Sequence, residues 1–292
     1  MIGNSRLHWA LFVGTTLQET WDTEYLNAEA VEQLSQWRPL SAIAHSQLPF
    51  LEQSGKDLAS WDSLKQSALL SAPMREALSS SPVPLVFASV VPTQTALWQT
   101  YPHVRNITLD CLSLQGLYPT LGIDRALAVM GAGTELGWPV LVIDAGTALT
   151  LTGADVNQRL VGGAILPGLG LQLSSLKQKT AALPEVSLPE RLPPRWALET
   201  PGAIQSGVIY TVMAGVKDFI EEWWREFPDS SIAVTGGDRL ALLTYLQEAF
   251  PQIATALIEA PHSIFWGMSA TLRSQKESVI SSGNLPKRKI VI

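Results

Sequence analysis

The sequence predicts an α/β protein made of two similar domains that face each other across a ligand cleft. Three observations predict it. Two turns of small residues, Ile2-Gly3-Asn4-Ser5 and Asp144-Ala145-Gly146-Thr147, each open a β-meander, and Gly3 and Gly146 lie 143 positions apart in a chain of 292. Continuous apolar runs at Pro84–Val91 and Val140–Ile143 have the composition of strands buried on both faces. Segments of 3.6-residue period alternate with them, the longest through Ile209, Val212, Val216, Phe219, Ile220, Trp223 and Phe227. A chain of 292 residues holds one large domain or two of about 146, and either can bury a sizeable core.

The elements follow in order. Arg6–Val13 is dense in apolar and aromatic residues and reads as a strand; Gly14-Thr15 turns it into a returning strand, Thr16–Trp21. Asn27 caps a short helix with Val31, Leu34 and Trp37 on one face. Residues 50–82 are Ser-rich and weakly patterned, with a helix expected around Leu64–Leu78. After the strand in Pro84–Val91, Thr95–Tyr101 reads as helix and Ile107–Leu109 as a short strand. A helix over Ala126–Leu136 precedes the strands Val140–Ile143, Ala148–Thr152 and Leu160–Leu166, the last stopped by Pro167-Gly168. Leu169–Lys179 is a helix, and the five prolines between 184 and 201 make an irregular loop. Thr200-Pro201 starts the long helix, with proline in its first turn. Ser231–Val234 is a strand ending in Thr235-Gly236-Gly237-Asp238; helices Arg239–Ala249 and Ser263–Ser274 follow.

Composition narrows the function. Apolar residues are 46% and charged residues 16%, against about 25% charged in an average domain. That excludes a disordered or nucleic-acid-coating chain. A net charge of -6 gives no general attraction to phosphate backbones or anionic membranes, so neither nucleic acid nor membrane is expected as a partner. Any anion is bound at a local site. Cys111 stands alone, which excludes an intramolecular disulfide and fits a reducing, cytoplasmic setting. The stretch Met1–Phe12 lacks the pattern of a secretory signal, no run approaches the ~18 apolar residues of a membrane span, and Lys287, Arg288 and Lys289 read as a solvated tail. There is no GxxxxGK[ST] loop, no HExxH and no GxSxG elbow. Gly131, Gly133 and Gly137 have the wrong spacing for a dinucleotide fingerprint and sit in a helical pattern.

Four constellations carry chemistry. The two small-residue turns expose backbone N–H groups and hydroxyls that make an anion site without a lysine, although each alone is also an ordinary hairpin turn. Asp144 has the alternative of an Asx-turn closing its own hairpin. In Thr235-Gly236-Gly237-Asp238 the glycines let a flat ligand approach the backbone; the plain alternative is a strand-to-helix turn with Asp238 as N-cap. In Gly122-Ile123-Asp124-Arg125 a carboxylate beside a guanidinium is a base held ionised, or Asp124 merely caps the helix. Thr200 is equally readable as an N-cap. The glycines of Gly162–Leu169 suggest close approach of a ligand or a second subunit.

With these residues in place, the chain resembles the type III pantothenate kinases, in the sugar kinase, acetate kinase and actin superfamily. The resemblance runs from Ile2 to about Ala270. It is most specific at Gly122–Arg125, Asp144–Ala148, Gly162–Leu169 with Leu183-Pro184 downstream, and Thr200–Gly207. It implies duplicated ribonuclease-H-like (actin-like ATPase) domains with a central cleft, at residues 1–120 and 121–292. The implied activity is ATP-dependent phosphorylation of pantothenate to 4'-phosphopantothenate, the first step of coenzyme A biosynthesis. By the same resemblance, Asp124 is the proton acceptor. Gly3, Asn4, Ser5, Arg6, Leu7 and His8 line the ATP site with Thr147, and Thr235, Gly236 and Gly237 meet the adenosine. Tyr118, Gly122, Ile123 and Arg125 bind pantothenate, as does Thr200 across a homodimer. Asp144 is the ligand of a monovalent cation, K⁺ or NH₄⁺, and ATP arrives with Mg²⁺. The chain departs from the family where Met1 stands in place of an Asp and His8 in place of a common lysine. A non-catalytic nucleotide-binding regulator of the transcription accessory factor kind, or a kinase for another small polyol or acid, stays open on the same scaffold.

Overall fold

The computed structural model describes residues 1–36 and 84–281. The helix expected around Leu64–Leu78, Trp37 and the tail lie outside them. The chain divides into two compact units, Met1–Thr108 with Ser278–Ile292, and Leu109–Glu277.

In the first unit β1 (Leu7–Val13) pairs antiparallel with β2 (Thr16–Thr23). Ile2 bridges antiparallel to Leu7 and parallel to Ser89, its N–H donating to the Ala88 carbonyl at 2.8 Å. β3 (Leu85–Phe87) pairs parallel with β4 (Val104–Asn106). Helix α1 (Ala28–Gln36) is capped as expected, the Asn27 side chain accepting the Ala30 N–H at 2.8 Å. Helix α2 (Pro92–Trp98) starts three residues before the expected Thr95, because Pro92 sits in its first turn, where a missing N–H is harmless. The strand expected at Ile107–Leu109 is β4 instead. Ile107 is a buried plug just past the strand end, its N–H on the Phe87 carbonyl, and Leu109–Cys111 is a 3-10 turn. Ile2, Leu7, Val31, Phe87, Trp98 and Tyr101 form this unit's core.

The second unit carries a five-stranded sheet in the order β7-β6-β5-β8-β9: β5 (Val140–Ala145), β6 (Ala148–Ala154), β7 (Leu160–Pro167), β8 (Ser231–Thr235) and β9 (Leu257–Glu259). The first three form an antiparallel meander; β5, β8 and β9 run parallel. The first unit holds two two-stranded sheets, β1-β2 and β3-β4, and the isolated bridges of Ile2 to Leu7 (antiparallel) and to Ser89 just past β3 (parallel) link them in the same order and senses. The duplication read from the two glycine turns is therefore visible as topology, and the fold is a duplicated ribonuclease-H-like α/β fold.

The two-residue strand period sorts the second unit's side chains. Leu141, Ile143, Ala145, Leu149 and Leu151 face α4 (Leu169–Lys179), α5 (Thr200–Glu226) and α6 (Arg239–Ala249). Val140, Val142 and Ala154 face the other way, onto α3 (Ile123–Leu136) and the neighbourhood of α8 (Ser263–Ser281). A short α7 (Pro251–Ala254) leads into β9. Helices α3 and α8 touch backbone to backbone. A Cβ on Gly131 would strike the Ser263 carbonyl and stand 2.5 Å from the Gly267 amide nitrogen. Gly131→Ala should therefore force the helices apart and lower stability by about 1–3 kcal/mol, read as a lower urea midpoint. Gly215→Ala, on an open stretch of α5, should leave stability unchanged or raise it by up to about 1 kcal/mol, read as a level or higher urea midpoint. Among the described residues no helix is long and apolar enough to cross a membrane.

Candidate active site

Asp124 and Arg125 open α3, whose N-cap is Gly122. The Asp124 side chain caps nothing upstream. Its Oδ1 accepts the backbone N–H of Arg125 at 2.8 Å, and Gly122 packs so close to Oδ1 that any Cβ there would collide with it. One carboxylate oxygen is thus committed to the first turn, while Oδ2 has no hydrogen bond among the described residues.

Arg125 is only 7% exposed. Its Nε donates to Thr152 Oγ1 at 2.9 Å and its Nη1 to the Tyr118 hydroxyl at 3.1 Å. Nη2 lies against the Cα of Gly163, where a Cβ would come within 2.6 Å. No carboxylate among the described residues pairs with this guanidinium. A buried cation whose partners are two neutral hydroxyls lacks a counter-charge, and the favourable occupant beside it is an anion. Tyr118 is half-exposed at the rim and Ile123 is buried beneath the turn.

The second cluster lies at the ends of β5 and β8. Asp144 shares the α3 side of β5 with Val140 and Val142, by strand alternation. It pairs in register with Thr150 of β6 and Thr235 of β8. Thr150 stands two residues from Thr152 on one face of β6, so Asp144 and the Arg125 guanidinium belong to neighbouring positions of one sheet surface. The turn after Asp144 is braced by backbone. Gly168 N–H donates to the Thr147 carbonyl at 2.9 Å, and Asp238 N–H to the Ala145 carbonyl at 2.8 Å. Gly236, at φ 94°, presses its Cα onto the Ala145 carbonyl and the Asp144 carboxylate; a side chain there would fill that space. Thr235 is buried, whereas Thr147 and Gly237 are exposed. Asp238 stands in the N-cap position of α6 but makes no cap bond. Its carboxylate takes the Gly170 N–H at the start of α4 instead, and burial pushes its pKa up.

In the first unit Gly3 N–H donates to the Arg6 carbonyl at 3.1 Å, closing the turn that exposes Asn4, Ser5 and Arg6. The Tyr25 hydroxyl braces it from the Gly3 carbonyl at 2.5 Å. Leu7 turns its side chain into the core, so only its backbone is available to a ligand. His8 Nδ1 lies 2.7 Å from Asp22 Oδ1, its register partner on β2, and Nε2 packs against Gly3. That hydrogen bond, then the charges of His8 and Arg6, hold the Asp22 carboxyl below its ordinary pKa. Thr200 heads α5, yet the cap is Glu199, whose side chain accepts the Gly202 N–H at 2.7 Å. The Thr200 hydroxyl is left exposed, without a hydrogen bond among the described residues.

The structure therefore brings Tyr118, Gly122, Ile123, Asp124 and Arg125 into one cluster. Asp144, Thr147, Thr235, Gly236 and Gly237 form a second on the same sheet. Gly3 to His8 form a turn in the other unit. Thr200 makes no bond to any of them. Sequence reasoning missed Thr152 and Asp22; for Asp22 the available signal was its place opposite His8 in a hairpin with a two-residue turn.

Among the described residues no three His, Cys, Asp or Glu side chains are grouped to hold a metal ion. The Asp144 carboxylate and Ala145 carbonyl at Gly236 are hard oxygen donors. Such donors fit an alkali cation, or a Mg²⁺ whose remaining ligands are phosphate and water.

Comparison with a family model and with curated proteins shows the family. The family model described as "Type III pantothenate kinase" matches residues 2–222. A type III pantothenate kinase of Nostoc sp. is 52% identical over 269 residues, 91% of each chain. That of Synechocystis sp. is 43% identical over 272 residues, 92% of this chain and 88% of the relative. That of Gloeobacter violaceus is 38% identical over 272 residues, 93% of this chain and 96% of the relative.

Proposed function

The chain belongs to the type III pantothenate kinase family, and from that premise we propose how its own residues phosphorylate the primary hydroxyl of pantothenate with ATP. The reaction yields 4'-phosphopantothenate and ADP, the first step toward coenzyme A. The observation that carries this reading is the buried Arg125 guanidinium beside the half-open Asp124 carboxylate. An acid with a hydroxyl at a distance satisfies both groups, the carboxylate on Arg125 and the hydroxyl on Asp124. Tyr118, Gly122 and Ile123 shape the acid-binding end.

In the transfer, the substrate oxygen forms its bond to the γ-phosphorus as the bond from phosphorus to the β–γ bridging oxygen breaks. The hydroxyl proton passes to Asp124 Oδ2, and ADP leaves. Such a transition state is loose, so positioning and charge stabilisation supply most of the acceleration. By the resemblance, the candidate ATP-site residues are Gly3, Asn4, Ser5, Arg6, Leu7 and His8 of the first unit and, in the second, Thr147; the amides and hydroxyls of these turns suit phosphate oxygens. Thr235, Gly236 and Gly237 take the adenosine. Mg²⁺, bound with the nucleotide, supplies charge neutralisation on the phosphate oxygens. Asp144 with the Ala145 carbonyl would hold K⁺ or NH₄⁺.

Thr200 serves the acid site of a second copy in a homodimer. Its unused hydroxyl supports this, as do the exposed Trp196 and Leu198 beside it and Val161 and Ile165 on the edge strand β7. The setting is the cytoplasm. The family membership and the names of the relatives favour a kinase over a non-catalytic regulator.

A coupled ADP-release assay tests the reading. ADP release should depend on pantothenate and rise with K⁺ or NH₄⁺. Tight nucleotide binding without turnover would favour the regulator, and turnover only with a sugar would favour another kinase.

A further inference from the structure

We propose that Thr152 is a positioning residue for the acid-binding guanidinium, setting the affinity for the pantothenate carboxylate without touching it. The inference rests on the assignment of Arg125 as the acid-binding group. Thr152 lies on β6, 2% exposed, on the face that looks toward α3. Its hydroxyl is the acceptor for Arg125 Nε, 27 residues away in sequence.

A guanidinium has five N–H donors. Thr152 takes the one on Nε and Tyr118 one on Nη1, leaving three, one on Nη1 and two on Nη2, for a ligand. Gly163 bounds the Nη2 side by its lack of a side chain. Tyr118 is half-exposed and free to yield, whereas Thr152 is fixed in the middle of a central strand. The plane of the guanidinium is therefore set from the sheet side by Thr152. A planar fork recognises a carboxylate only in the right orientation, so its tether controls recognition.

Valine has the shape of threonine without the acceptor. Thr152→Val leaves a buried Nε–H unsatisfied and the fork free to tilt. The expected result is a KM for pantothenate raised about tenfold, with kcat and the KM for ATP within about twofold of the parent. Thr152→Ser keeps the acceptor, loses a methyl group and should restore the pantothenate KM.

A residue that only packs gives the reverse pattern: valine silent, serine lowering the urea midpoint with no selective change in KM. Urea unfolding of each variant accompanies the kinetics. If the valine variant does not fold, Thr152→Ala carries the same expected rise in KM. An active parent with an unchanged pantothenate KM in the valine or alanine variant overturns the inference alone. A parent that does not turn over pantothenate overturns the assignment beneath it, and the inference with it.

Discussion

Asp124→Asn should lower kcat with pantothenate by about 10²- to 10⁴-fold, the range typical of a lost general base. The geometry makes this substitution unusually clean. An asparagine oxygen in the place of Oδ1 still accepts the Arg125 N–H, so the first turn of α3 keeps its bond. What disappears is the basic second oxygen, which has no partner of its own among the described residues. The KM for ATP should stay within about twofold, because the one hydrogen bond of the Asp124 carboxylate among the described residues is to the Arg125 N–H of its own turn. The KM for pantothenate should move little, since an amide still bonds a hydroxyl. Near-normal turnover would remove Asp124 from the role of proton acceptor.

Arg125→Met has the second largest expected effect and moves a different parameter. Methionine fills much of the same buried space without a charge. The pantothenate carboxylate would then enter a buried site with no counter-ion, and leaving one charge of a buried pair unmatched costs about 2–5 kcal/mol. The kcat/KM for pantothenate should fall by at least about thirtyfold, while the KM for ATP holds. Stability should not fall in step. Removing a buried cation that has no carboxylate partner among the described residues removes a desolvation penalty, so the urea midpoint should stay level or rise. Arg125→Lys should recover only part of the loss, because an ammonium cannot meet Thr152, Tyr118 and a carboxylate in one plane. Equal losses of affinity for both substrates would point to a collapsed site.

Much of this architecture is legible in the residues. The paired glycine turns reveal the duplication because a hairpin corner needs small residues whatever surrounds it. The α5 periodicity is plain because the helix lays a long apolar stripe on the sheet. What stays hidden is decided by tertiary contact. β4 carries polar Arg105 and Asn106 and is only half-buried, so the apolar Ile107 after it draws the strand reading past its end. β9 is three residues long, too short for a period to show, and forms because β8 offers it an edge. Glu199 displaces Thr200 as the cap because the helix begins one residue early, its first bond running from Ala203 N–H to the Glu199 carbonyl.

The candidate site follows the same division. Gly122–Arg125 and Asp144–Ala148 are contiguous and can be read in order. Thr152 is an ordinary strand threonine until α3 folds across it and places Arg125 on its hydroxyl. Asp238 looks like a cap for the helix that follows it, yet its carboxylate serves α4, on the far side of the Thr147 turn.

The decisive measurement is the identity of the product, by phosphorus NMR and mass spectrometry of the complete reaction. One phosphate monoester on the primary hydroxyl of pantothenate is expected for each ADP formed, and none from the Asp124→Asn protein on the same time scale. Free inorganic phosphate with pantothenate unchanged, or nucleotide bound and never cleaved, would contradict it.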